Sequence, residues 1–160
     1  MRKIEKRLSE LSLVLPPEMS LPGIVLPFEF VHVVGDRALV SGHGPQLPDG
    51  QFPEPLGKVG GEVTEEQAYQ AARMTALSML GSLQRKLGDL DRIVAWVKVL
   101  GMVNVAPGFN RMPAVINGCS DLILEVFGPE VGAHSRSAVG MAALPLDIPV
   151  EIEAEVLIKP

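Results

Sequence analysis

Ile148-Pro149-Val150-Glu151-Ile152-Glu153-Ala154-Glu155-Val156-Leu157-Ile158 alternates almost strictly between apolar and acidic residues. Side chains two apart share a face of a strand, so Ile148, Val150, Ile152, Ala154, Val156 and Ile158 line one side and Glu151, Glu153 and Glu155 the other. One side is built for a core, the other for water or a polar partner. Upstream, Ala133 to Ala142 sorts Ser135, Ser137, Val139 and Met141 against His134, Arg136, Ala138, Gly140 and Ala142. With Leu144-Pro145-Leu146-Asp147 as the turn, the two strands are expected to pair antiparallel. Setting Val139 and Met141 beside Ile152 and Val150 buries all four, whereas a one-residue slip sets apolar against acidic side chains. That register puts Arg136 on the face of the three glutamates.

Further upstream, Arg92 to Val105 is β-branched and apolar on both sides, with Ile93, Ala95, Val97, Val99 and Val103 on one and Val94, Trp96, Leu100 and Met102 on the other. This is the pattern of a central strand. If helices cover one face of the sheet, few elements remain for the second, and association with copies of the chain would cover it. Two helices are expected. Thr64-Glu65-Glu66-Gln67 is a capping box that starts the first, whose apolar and small residues recur every three or four positions up to Gly88. The second begins near Pro113, carries Val115, Ile116, Cys119, Leu122, Ile123, Val126 and Phe127 on one stripe, and ends at Gly128-Pro129. Phe28 to Ser41, with Gly35-Asp36 as its turn, reads as a β-hairpin. Gly42 to Gly61 holds six Gly and four Pro and is expected to be a loop with at most a short strand.

With 160 residues, the chain fits one domain over 1–160, able to bury roughly 70% of its unfolded surface. Residues 1–21 form an N-terminal amphipathic helix and a Pro-rich extension; the connector over 15–27 is expected to carry no core. A hydrophobic content of 47% argues against disorder. The one cysteine, Cys119, excludes an internal disulfide, and no Cys/His cluster has zinc-ligand spacing. No apolar run is long enough to span a bilayer, so no membrane partner and a cytoplasmic location are expected. The net charge of −5 disfavours nucleic acid, because basic residues beyond Arg2, Lys3, Lys6 and Arg7 are dispersed.

No phosphate-binding Gly-rich loop, dinucleotide fingerprint, HExxH or nucleophile elbow is present. Cys119 lies on an apolar stripe without an activating neighbour, the setting of a small core residue rather than a nucleophile. His43, in Gly42-His43-Gly44-Pro45, is either a general base or a loop histidine that orders the turn; His32 and His134 fit structural roles. Arg136 differs in kind, because a guanidinium in mid-strand is costly to bury without an anion. It either pairs with Glu153 or Glu155 or clamps a substrate carboxylate while a neighbouring Glu positions water.

Arg136-Ser137-Ala138-Val139, continuing through Leu144-Pro145 to Val150-Glu151-Ile152-Glu153-Ala154, resembles the C-terminal signature of the Rid/YjgF family of reactive-intermediate deaminases, formerly labelled L-PSP endoribonucleases. Val40-Ser41-Gly42 with Gly44-Pro45 is similar to its N-terminal signature, and Val115-Ile116-Asn117-Gly118 to its second-helix region. The resemblance covers roughly Pro22 to Ile158 and suggests a longer subgroup. It implies a chorismate-mutase-like α+β fold, a mixed sheet with two long helices on one face, and a homotrimer with ligand clefts between subunits. It also implies that Arg136 holds the carboxylate of a 2-imino or enamine acid, that Glu151 places the hydrolytic water, and that the products are a 2-oxo acid and ammonia, as for 2-iminobutanoate/2-iminopropanoate deaminases. Asn117, Ser41 and Gly42 match cleft-lining positions. Two departures reshape the pocket: Val25 stands where the family usually carries a tyrosine, and Ala138 replaces a frequent cysteine. No metal or organic cofactor is called for, since imines hydrolyse spontaneously and need only orientation and a polarised water. The alternative is a non-catalytic trimer that binds small carboxylates in a regulatory or chaperone-like role. An acidic chain with 4% aromatics is poorly equipped to hold single-stranded RNA.

Overall fold

The computed structural model describes residues 2–160. The elements are α1 (Lys3–Glu10), β1 (Val31–Val34), β2 (Arg37–His43), α2 (Glu65–Leu87), β3 (Ile93–Asn104), α3 (Met112–Val131), β4 (Ser135–Met141) and β5 (Val150–Ile158). One mixed sheet runs β1-β2-β5-β3-β4, and α2 and α3 pack together against one face of it, as the α+β reading expects. The capping box forms: the Thr64 hydroxyl accepts from the Gln67 amide at 3.1 Å and Gln67 Oε1 accepts from the Thr64 amide at 2.9 Å. Such a cap stabilises a helix by about 1 kcal/mol. Gly88 ends α2 in the left-handed conformation with φ 75°. The small residues of α2 let α3 approach closely, so a Cβ on Gly118 would stand 2.1 Å from the Tyr69 carbonyl oxygen. Across the same seam Tyr69 Oη donates to Asp121 at 2.6 Å and Arg73 forks onto Glu125 at 3.0 and 2.9 Å.

The expected β4–β5 hairpin does not form. β4 pairs parallel to β3, and β5 lies antiparallel between β3 and β2. The physical reason is β3, apolar on both sides and flanked on both edges: α3 returns β4 to one edge, and residues 142–149 cross the end of β3 to lay β5 on the other. Buried Asn104 anchors that crossing, with Nδ2 donating to Asp147 Oδ1 at 3.0 Å. Leu146 and Asp147 take positive φ values of 59° and 56°, as the central residues of a tight hairpin also can, so it is the pairing of β4 and β5 with β3 and not the local dihedrals that makes this segment a crossing.

Three smaller expectations are also corrected. Trp96 turns into the core instead of sharing a face with Leu100 and Met102, because a bulge at Val97 reverses the alternation of β3. It packs edge-on against Phe127 at 5.6 Å. The Pro-rich connector does carry core: Leu15 packs on the main cluster and Pro16 is buried. At Gly128 (φ 79°) α3 breaks but then resumes to Val131. The first helix is tied down, its Ile4 and Leu8 buried and its Lys3 and Ile4 amides donating to the Asp91 carboxylate at 2.7 and 2.8 Å. A carboxylate 87 residues on in sequence thus caps an exposed helix start.

Candidate functional site

Arg136 stands opposite Val99 in the β3–β4 ladder, and Val99 opposite Ala154 in the β3–β5 ladder. Paired residues share a face, so Arg136 lies on the side the helices cover, not beside the three glutamates as the hairpin register required. Val139, opposite Met102 and hence Glu151, takes the place expected of Arg136. The guanidinium reaches over to α3, where Nη1 donates to Asn117 Oδ1 at 2.9 Å and Ser120 Oγ at 3.1 Å, and Nη2 to the Pro113 carbonyl at 3.4 Å. Pro113, Asn117 and Ser120 follow at intervals of four and three, one stripe of α3. Neither Glu153 nor Glu155 pairs with Arg136; Glu155 is taken by Arg37. Among the described residues no carboxylate neutralises this guanidinium.

Behind it lies a second layer that sequence reasoning missed. A carbonyl can only accept, so His134 Nδ1 donates to Gly132 O at 2.7 Å, which leaves Nε2 to accept from the Ser120 hydroxyl at 2.9 Å. Ser120 Oγ then accepts from Arg136. The chain Arg136–Ser120–His134–Gly132 orients the fork through fixed donor and acceptor roles. The spacing of Asn117 and Ser120 on one helical stripe carried a signal for Ser120; nothing in the local sequence linked it to His134.

Glu151 belongs to a separate cluster on the opposite face. Burial, reinforced by the negative charge of Glu153, raises its carboxyl above the ordinary carboxylate range. The carboxylate lies directly against Gly42, where a Cβ would meet Oε2 at 2.5 Å and Cδ at 2.9 Å. Gly42 falls within the irregular stretch of β2 between Val40 and His43, and only a residue without a side chain leaves Glu151 room there. Ser41 donates its hydroxyl to the Glu29 carbonyl at 2.7 Å and borders a depression of about 270 Å³ on the uncovered sheet face with Leu39, Lys98, Leu100 and Glu153. Ala138 stands opposite Gly101, two residues along from Arg136 on the same face. Val25 stands 94% exposed on the connector.

Within one chain, then, Arg136 with Asn117 and Glu151 with Gly42 and Ser41 form two groups, on opposite faces and with β3 between their strands. His43 is a structural residue: buried, with Nδ1 donating to Ser41 O at 2.5 Å and Nε2 accepting from Ser82 at 2.8 Å, and with burial lowering its pKa. Cys119 is fully buried, its thiol pushed up to about 12 by desolvation. Among the described residues no group of three His, Cys, Asp or Glu is placed to hold a metal ion, and no helix is long and apolar enough to cross a membrane.

Residues 5–152 match the family described as "YjgF/chorismate mutase-like, putative endoribonuclease". Protein TCP17 of Trypanosoma cruzi is 47% identical over 98 residues, 61% of this chain and 61% of its own length, so the chain spans less than two thirds of that relative. A crystal structure of a protein with unknown function from Agrobacterium tumefaciens is 36% identical and superimposes with a TM-score of 0.87, covering 99% of this chain and 94% of that one. Another, from Shewanella oneidensis and carrying the same endoribonuclease description, is 29% identical, with a TM-score of 0.88 over 98% of this chain and 100% of that one.

Proposed function

Because the chain belongs to the YjgF/chorismate mutase-like (Rid/YjgF) family, we propose that it hydrolyses reactive 2-imino acids and their enamine tautomers to 2-oxo acids and ammonia, in a cleft completed between copies of itself. The observation that carries this reading is the Arg136 guanidinium, oriented by Asn117, Ser120 and Pro113 yet left without a carboxylate partner among the described residues. A planar fork so held accepts a substrate carboxylate bidentately.

Arg136 would pin the carboxylate and draw electron density from the adjacent imine carbon. Glu151, made more basic than an ordinary carboxylate by its burial, would in its ionised form accept a proton from water as the water oxygen bonds to that carbon. Glu151 returns that proton to nitrogen to give the carbinolamine, the hydroxyl proton follows by the same route, and the C–N bond breaks so that ammonia leaves as the C=O bond forms. Water and imino acid become 2-oxo acid and ammonia, with no electrons gained or lost.

Glu151 of one copy would serve Arg136 of a neighbour in a homotrimer. This arrangement is supported by the separation of the two groups within a chain and by apolar side chains on the uncovered face, where Leu39 is 42% and Val139 39% exposed. The test follows semicarbazide trapping of an imine made by an amino-acid oxidase. The protein should suppress trapping, and Arg136→Ala should abolish that effect; equal suppression by both proteins counts against the reading. Stabilisation by 2-oxo acids without turnover would favour the non-catalytic carboxylate binder, whose only requirement is the Arg136 cluster. RNA cleavage lost in Arg136→Ala would favour the endoribonuclease description instead.

A further inference from the structure

We propose that a cleft between the N-terminal connector and the last turns of α2 is a second ligand site, which takes a small monocarboxylate with an aromatic or branched apolar body and grips it through Arg85. The cleft has a volume of about 560 Å³, within the range of small-molecule sites. Its polar end is built. Arg85 donates through Nη1 to the Pro16 carbonyl at 3.0 Å and through Nη2 to Ser82 Oγ at 3.1 Å. Ser82, 6% exposed, is itself fixed by its hydrogen bond to buried His43, whose other nitrogen is held by Ser41 O. The guanidinium is therefore oriented by a second Arg–Ser–His chain, and among the described residues no carboxylate pairs with it.

Apolar and aromatic side chains share the rest of the wall with Glu18, Ser20, Glu29 and Lys86. Phe28 stacks edge-on against Phe30 at 5.9 Å, and Phe30 leans on the His43 ring at 5.3 Å, so an aromatic wall runs from the mouth to the polar end. Ile24 and Phe28 border the cleft yet remain 59% and 52% exposed, apolar surface that a bound ligand would cover. Charge restricts the anion. The one other cation of the wall, Lys86, is neutralised by Glu29 at 3.2 Å, and Glu18 adds a second negative charge. With Lys86 and Glu29 cancelling, a single carboxylate suits the one remaining guanidinium beside the Glu18 charge; a phosphate dianion does not. The site lies beside β1, at the sheet edge opposite β4 and Arg136, and is independent of the proposed deaminase activity.

Phenylacetate, which lacks a 2-oxo group, is the probe for calorimetric titration, with neutral phenylacetamide as control. Saturable one-site binding is expected to the full-length wild type and unchanged to Arg136→Gln. Affinity should fall by at least about tenfold in Arg85→Gln, as for loss of a charge-assisted contact. Phe28→Ala, a change at an exposed position with little bearing on folding, should weaken binding several-fold. Absence of saturable binding to the wild type overturns the proposal, as do equal affinity for the amide, full affinity in Arg85→Gln, or loss in Arg136→Gln alone. Should Arg85→Gln fail to fold, the amide and Phe28→Ala arms decide.

Discussion

The Cα of Gly42 faces the Glu151 carboxylate so closely that any side chain at position 42 would occupy the space of Oε2 and Cδ. A strand glycine thereby governs where the proposed base stands. Gly42→Ala is expected to displace the carboxylate and lower kcat by about 10²-fold, the usual contribution of a positioned base. Glu151→Gln should cost about as much, and the double variant little more. A chemical melt within about 1 kcal/mol of wild type would show that the loss is one of placement.

Ser120 is expected to act through Arg136. In Ser120→Ala the guanidinium loses one acceptor and His134 its donor, while the Asn117 bond remains. KM should rise several-fold, the loss of about 1 kcal/mol of orientation, with kcat changed less. Ser120→Thr, which restores the hydroxyl, should recover much of it. A fall in kcat at constant KM would contradict the positioning role.

The raised pKa of Glu151 makes two linked predictions. The acid limb of the rate profile should lie above the ordinary carboxylate range, and Glu153→Gln, which removes the neighbouring negative charge, should move it to lower pH. For stability, the folded state binds this proton more tightly than the unfolded state. The cost of burying the ionised group is therefore absent below the unfolded pKa and fully present above the folded one. Glu151→Gln should accordingly raise Tm at pH 7 and do so less at pH 4; the reverse order would contradict the assignment.

Cys119 should resist iodoacetamide at pH 8 in the native protein and react once the protein is unfolded. It is fully buried with its thiol pushed up to about 12, so little thiolate exists and none is accessible. Modification at rates typical of an exposed thiol would refute the placement of α3.

Local chemistry made several elements legible in advance. The Thr64–Gln67 box, the left-handed Gly88 and the alternation of β5 each encode their conformation within a few residues. Strand order is different, because it depends on which edges of β3 remain open after α3 packs, and Leu144-Pro145-Leu146-Asp147 looks like a turn whether it folds back or crosses over. That ambiguity also misplaced Arg136, since parallel pairing with β3 puts it opposite Val99 rather than with the glutamates. Trp96 was misplaced by one extra residue at Val97, invisible in a strand apolar on both sides. Arg136, Asn117, Gly42 and Glu151 could be singled out from motif resemblance; their division into two groups could not.

The most direct test mixes two inactive proteins. Arg136→Ala and Glu151→Gln subunits, unfolded together and refolded at equal ratio, should assemble trimers in which some seams pair an intact Arg136 with an intact Glu151. Activity should return to about a quarter of the wild-type level for random assembly with one residue from each side of a seam. A mixture as inactive as either variant alone, or a wild-type protein that is monomeric and active, would contradict a site shared between copies.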